Sequence, residues 1–61
     1  MSSEAFKKMR LAKGYSQAAL AHEFDLDVIT VSRWERGAVP IPRLAELALI
    51  ALKRKSKGKG D

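Results

Sequence analysis

The sequence predicts an all-α fold, four short helices closed around one small core and followed by a basic tail. Three observations carry that prediction. Apolar residues recur at three- and four-residue spacing through most of the chain. Residues that cap or break helices, Ser2, Ser3, Gly14, Ser16, Asp27, Gly37 and Pro42, fall between those stretches. No segment alternates in the way of a half-buried strand. The 61 residues include no cysteine, so neither disulfides nor a thiolate metal site is available. A chain this short buries only about 60% of its unfolded surface. Packed helices, with dimerisation as an available aid, must therefore supply the stability.

The first helix can be capped by Ser2 or Ser3, and Glu4 in its opening turn suits the helix dipole. Phe6, Met9 and Ala12, with Ala5 beside them, give the inward stripe. Lys7, Lys8 and Arg10 lie mostly around the other side, and Lys13 with Gly14 ends the helix. Tyr15 follows as a plug into the core, its hydroxyl at the surface. Ser16 caps a second helix over 16–24, whose Leu20, Ala21 and Phe24 share a face, Ala21 being small where two helices cross closely. Asp25 tolerates a turn conformation that otherwise wants Gly, and Leu26 drops into the core. Asp27 caps a third helix over 27–36, with acceptance from a cytosine N4 amine as its alternative use, and that helix buries Val31 and Trp34 and stops at Gly37. After a loop over 38–41, Pro42 suits the first turn of a last helix, reaching about Arg54.

The expected core is Phe6, Met9, Leu20, Phe24, Leu26, Val31, Trp34, Leu44, Leu47, Ala48 and Ala51. At about 100° per residue, Leu44, Ala48 and Ala51 centre the inner face of the last helix, with Leu47, Leu52 and Ala45 on its flanks. Leu49 and Ile50 then straddle Glu46 on the far side. Two large aliphatics there suggest a partner surface, and the symmetric solution is a twofold dimer through Leu49 and Ile50. Cover by the loop Val39-Pro40-Ile41 or by the chain ends is the alternative. The domain spans 1–54, and the apolar-free tail 55–61 is expected to be disordered.

The formal net charge is +5, but it is uneven. After Leu52, five cations face Asp61 alone, so the tail holds +4 and the body only +1. A basic balance alone suits nucleic acid, a membrane surface or an acidic protein equally. No apolar run approaches the roughly 18 residues of a membrane span, and no secretory signal opens the chain. A soluble cytoplasmic protein is the natural expectation.

Two short helices joined by a tight turn, the second turning variable side chains outward beside two arginines, make a unit that can read DNA. Lys13-Gly14-Tyr15-Ser16-Gln17, Leu20-Ala21, Val31 and Ser32-Arg33-Trp34-Glu35-Arg36-Gly37 resemble the phage repressor and Cro-type, lambda-repressor-like, helix-turn-helix family. The resemblance runs from about Phe6 to Leu52. Asp25, where that family usually has Gly, and the apolar pair Val28-Ile29, where polar residues are commoner, depart from it. The resemblance implies double-stranded DNA as partner and a regulator of transcription at the nucleoid, most simply a homodimeric repressor on an inverted repeat. Neither cofactor, membrane nor small-molecule substrate is implied.

With Val31 and Trp34 buried, the third helix presents Val28, Ile29, Ser32, Arg33 and Arg36 outward. Arg33 is the candidate for base readout, because a guanidinium can bond guanine O6 and N7 together; phosphate or solvent contact is the alternative. Val28 and Ile29 could meet thymine methyl groups, unless Val28 packs back on the preceding loop. Ser32 can bond base or phosphate. By resemblance, Gln17 bonds a DNA phosphate from the first turn of the second helix. Thr30, Arg36, Arg43 and Lys13 are further phosphate candidates. Arg10 is another, but the resemblance implies instead an ion pair between Arg10 and Glu35 that stitches the first helix to the end of the third.

Trp34 reads as core rather than as a base-stacking group. His22 stands without a second His or any Cys to complete a metal site. No carboxylate pair suggests catalysis, so neither a catalytic nor a metal residue is expected. Two other classes remain open: an antitoxin-like protein-binding module whose last helix masks a partner, and a nonspecific nucleic-acid-binding protein driven by the tail.

Overall fold

The computed structural model describes residues 1–54, in four helices: α1 Ser3–Ala12, α2 Gln17–Glu23, α3 Val28–Glu35 and α4 Arg43–Ala51. The tail expected over 55–61 lies outside the described residues. Helices of this length are unstable alone in water, so mutual burial must hold them. α2 packs on α3, and α1 packs on both α3 and α4. Phe6, Leu20, Val31 and Leu49 are fully enclosed, each stabilising by about 1.5–3 kcal/mol relative to exposure. Phe6 meets Trp34 edge to face, ring centroids 5.8 Å apart, the geometry favoured by aromatic quadrupoles. Met9 and Phe24, half-buried, pack on this cluster, and Ala21 is buried between neighbours.

Local chemistry sets the helix ends largely as the sequence predicts. The Ser2 and Ser16 hydroxyls each accept from the backbone N–H three residues on, Ala5 and Ala19, both at 3.0 Å. Asp25 holds φ 58°, the left-handed turn position between α2 and α3, while Gly14 and Gly37 take φ 84° and 76° after α1 and α3. Asp27 does occupy the N-cap position of α3, but its side chain makes no capping hydrogen bond. Its extended backbone and carbonyl start the helix, with Thr30 N–H donating to that carbonyl at 3.0 Å.

The last helix departs most from expectation. Ala45 and Leu49 face the core and Leu52 flanks them, whereas Leu44 is 80% exposed and Leu47, Ala48 and Ala51 face outward. α4 is therefore turned by about one residue, roughly 100°, from the phase that apolar periodicity suggested. That phase encloses Leu49 completely, which stabilises by about 1.5–3 kcal/mol, and it also brings the Glu46 carboxylate to the Met1 ammonium at 2.7 Å. Leu26 loses its expected cover by the same rotation and is 40% exposed. With Phe24, Trp34, Pro42, Leu44, Ala45 and Ala48, and Glu23 as its one charged member, it lines a mostly apolar groove of about 530 Å³.

α4 also ends earlier than expected, at Ala51, with Leu52 already extended. Lys13 stops it. The Lys13 ammonium donates to the Ile50 carbonyl at 2.9 Å and to the Leu52 carbonyl as well. A cation on the last carbonyls both satisfies orphan acceptors and meets the negative end of the helix dipole. The Tyr15 ring is buried as expected, but its hydroxyl is not left to solvent: it donates to the Lys53 carbonyl at 3.1 Å.

Candidate nucleic-acid interface

The exposed side of α3 follows from what α3 buries. Val31 and Trp34 point inward, which leaves Val28, Ile29, Arg33 and Arg36 exposed, with Ser32 and Thr30 half-buried at the margins. Val28 does not pack away on the preceding loop; it is 43% exposed and Ile29 57%. Neither Arg33 nor Arg36 has a hydrogen-bond or ion-pair partner among the described residues, so both guanidinium forks are open. All the residues singled out on the third helix for base contact therefore share one outward surface.

Behind that surface lies one charged network. Arg10 on α1 is 5% exposed. Its Nε donates to Glu35 Oε2 at 2.6 Å, its Nη2 to Glu35 Oε1 at 3.0 Å, and its Nη1 to the Tyr15 carbonyl at 2.8 Å. This is the α1–α3 ion pair that the resemblance implied, in the bidentate geometry that makes such pairs strong. Periodicity alone had placed Arg10 with the lysines on the outer side. Glu35 Oε1 also accepts from Gln17 Nε2 at 3.0 Å, so the carboxylate joins three helices.

The phosphate candidates are not equivalent. Gln17 and Thr30 are half-buried beside the α3 surface, and Arg36 is free at its end. Arg43 is solvent-exposed and only 3.7 Å from Glu46 across one turn of α4, a contact worth little at the surface. Lys13 is turned into the domain to cap α4, so it does not stand free for a phosphate. Of the expected dimer pair, Ile50 is exposed, but Leu49 fills the core and is not available to a partner. Sequence reasoning missed the capping role of Lys13 and the link from Glu35 to Gln17. A faint signal existed for the second, since an acidic residue at a helix C-terminus opposes the dipole and needs donors to hold it.

A family model described as helix-turn-helix matches residues 6–53, most of the chain, and the protein belongs to that family. It is thus a DNA-binding regulator of transcription. No curated protein and no solved structure matches the chain. Among the described residues no helix is long and apolar enough to cross a membrane.

Proposed function

We propose that the chain is a phage repressor- or Cro-type regulator that acts as a homodimer, occupying an inverted-repeat operator through the major groove and excluding polymerase. The observation that carries this reading is the outward side of α3, two unpaired arginines beside two exposed β-branched residues on a helix locked to its neighbours. In it, Arg33 bonds guanine O6 and N7, Val28 and Ile29 meet thymine methyls, and Ser32 bonds a base edge or phosphate. Gln17, Thr30, Arg36 and Arg43 hold the phosphates and fix the register.

One such helix touches too few base pairs to find a single site in a genome. Two subunits related by a twofold axis would set their α3 helices about 34 Å apart, one turn of DNA. The exposed ridge of α4, Leu44, Leu47 and Ile50 at three-residue spacing, is the apolar surface that suits such pairing. The protein so read works at the nucleoid, in the cytoplasm.

The test is binding to an operator selected from random duplexes, set against a scrambled duplex at matched salt. Arg33→Ala is expected to weaken operator binding by about 1–3 kcal/mol and to relax preference at one guanine. An equal loss on both duplexes would make Arg33 a phosphate contact. A parent chain that sediments as a monomer even on its operator would remove the twofold arrangement.

A further inference from the structure

We propose that Glu35 is a positioning residue for DNA-backbone binding, fixing through Gln17 which end of that amide faces the duplex. The inference rests on the reading of Gln17 as a phosphate contact and adds to it a residue that touches no DNA. A glutamine amide has nearly the same shape in two orientations, one presenting NH₂ and the other C=O. Phosphate oxygens only accept, so one orientation binds and the other repels. A free glutamine at the start of a helix samples both.

Here the choice is made inside the protein. Glu35 Oε1 takes a hydrogen bond from Gln17 Nε2 at 3.0 Å. A carboxylate already accepting two guanidinium N–H groups from Arg10 offers nothing to a carbonyl, so Gln17 must turn its nitrogen toward Glu35. The carboxylate itself cannot swing away. The Arg10 and Glu35 side chains are 6% and 3% exposed, and Arg10 is tied in turn to the Tyr15 carbonyl at 2.8 Å. One Nε2 hydrogen is thereby held, and the second is left for an acceptor outside.

Two further features fit. Glu35 closes α3, where a carboxylate opposes the helix dipole, so helix stability gives no reason for it. An acidic group near phosphates would also repel them, and Arg10 at 2.6 Å neutralises it. Beyond pairing with Arg10, Glu35 therefore offers Gln17 a fixed acceptor and no donor. Ordering one rotamer-rich side chain in advance corresponds to roughly a two- to tenfold gain in affinity.

The experiment has two arms. In the unaltered full chain without DNA, NMR of the Gln17 side-chain amide is expected to show one Nε2 proton shifted and protected from water exchange and the other not. Adding a short mixed-sequence duplex should then move the second proton. Two Nε2 protons at the shifts of a free side-chain amide, exchanging equally fast with water, would overturn the proposal, whether or not the protein binds DNA. In the second arm, Glu35→Gln, Gln17→Ala and the double variant bind the same duplex, with circular dichroism reporting the fold. Because Glu35→Gln also strands the Arg10 charge, affinities are compared per folded molecule, and Glu35→Gln is expected to weaken binding two- to tenfold more when Gln17 is present than when position 17 is alanine. The same loss in both backgrounds would make Glu35 a structural residue only. Should Glu35→Gln not fold, the first arm decides. A duplex that the unaltered chain does not bind would remove the DNA reading of Gln17, and this role of Glu35 with it, while leaving the amide orientation measured.

Discussion

Replacing Arg10 by methionine tests the largest single electrostatic commitment in the domain. The change removes three hydrogen bonds, at 2.6, 2.8 and 3.0 Å, and leaves Glu35 with only Gln17 as donor in a site where its side chain is 3% exposed. Breaking a buried pair by removing one partner destabilises by about 3–5 kcal/mol, because the remaining charge is uncompensated. For 61 residues, typical stabilities of 0.05–0.15 kcal/mol per residue amount to only about 3–9 kcal/mol. Arg10→Met should therefore be largely unfolded or close to it at room temperature. Arg10→Met combined with Glu35→Leu removes the stranded charge and should recover more than half of the loss, since an apolar pair of similar volume often replaces a buried ion pair at little cost. Urea unfolding followed by circular dichroism at neutral pH measures all three proteins. A loss below about 1 kcal/mol for Arg10→Met, or a double variant less stable than the single one, would refute the reasoning that burial makes this pair indispensable.

Other perturbations follow from single residues. Asp25→Gly should raise the urea midpoint, by up to about 1 kcal/mol of stability, because an L side chain at φ 58° is disfavoured there and glycine is not; an unchanged or lowered midpoint would show that Asp25 makes compensating local interactions. Lys13→Met should loosen the end of α4 by about 1 kcal/mol, seen as faster hydrogen exchange of its last-turn amides with α2 and α3 unaffected; uniform acceleration across all helices would contradict a local cap. The hydrogen bond from the Met1 ammonium holds the Glu46 carboxyl below its ordinary value of 4.5, helped by the positive charges of that ammonium and Arg43 and opposed by desolvation. A carboxyl whose folded value is depressed gives stability that is complete above 4.5 and fades as pH falls through the folded value. The Tm gap between the unaltered chain and Glu46→Gln should accordingly close on acidification below 4.5, and a gap independent of pH would rule out this linkage.

How far the sequence could be read depended on the range of the interaction. Ser2 and Ser16 bond backbone atoms three residues away, Asp25 and Gly37 set only their own backbone angle, and all four were legible from position alone. The phase of α4 was not. Leu44, Leu47, Leu49 and Ile50 point to several sides of one helix, so periodicity has more than one solution. The observed phase buries Leu49 against elements distant in sequence and meets Met1, 45 positions before Glu46, and neither partner is visible in the helix's own periodicity. In the same way, Lys13 looked like a surface cation because its acceptors lie on a distant helix terminus. The third helix was the easier case. Val31 and Trp34 leave one assignment of inside and outside, and the candidate contacts followed from it.

The bond from the Tyr15 hydroxyl to the Lys53 carbonyl also decides an address. It pins the end of the described chain beside the α1–α2 loop, one residue from Ser16 and two from Gln17. The Lys13 ammonium on the Leu52 carbonyl fixes the same stretch, so residues 52–53 are held to the α1–α2 turn by two side chains. The same geometry governs engineering. A fluorophore or affinity handle joined after Arg54 would load that anchor, whereas Leu47, exposed on α4, offers a labelling position that leaves it untouched.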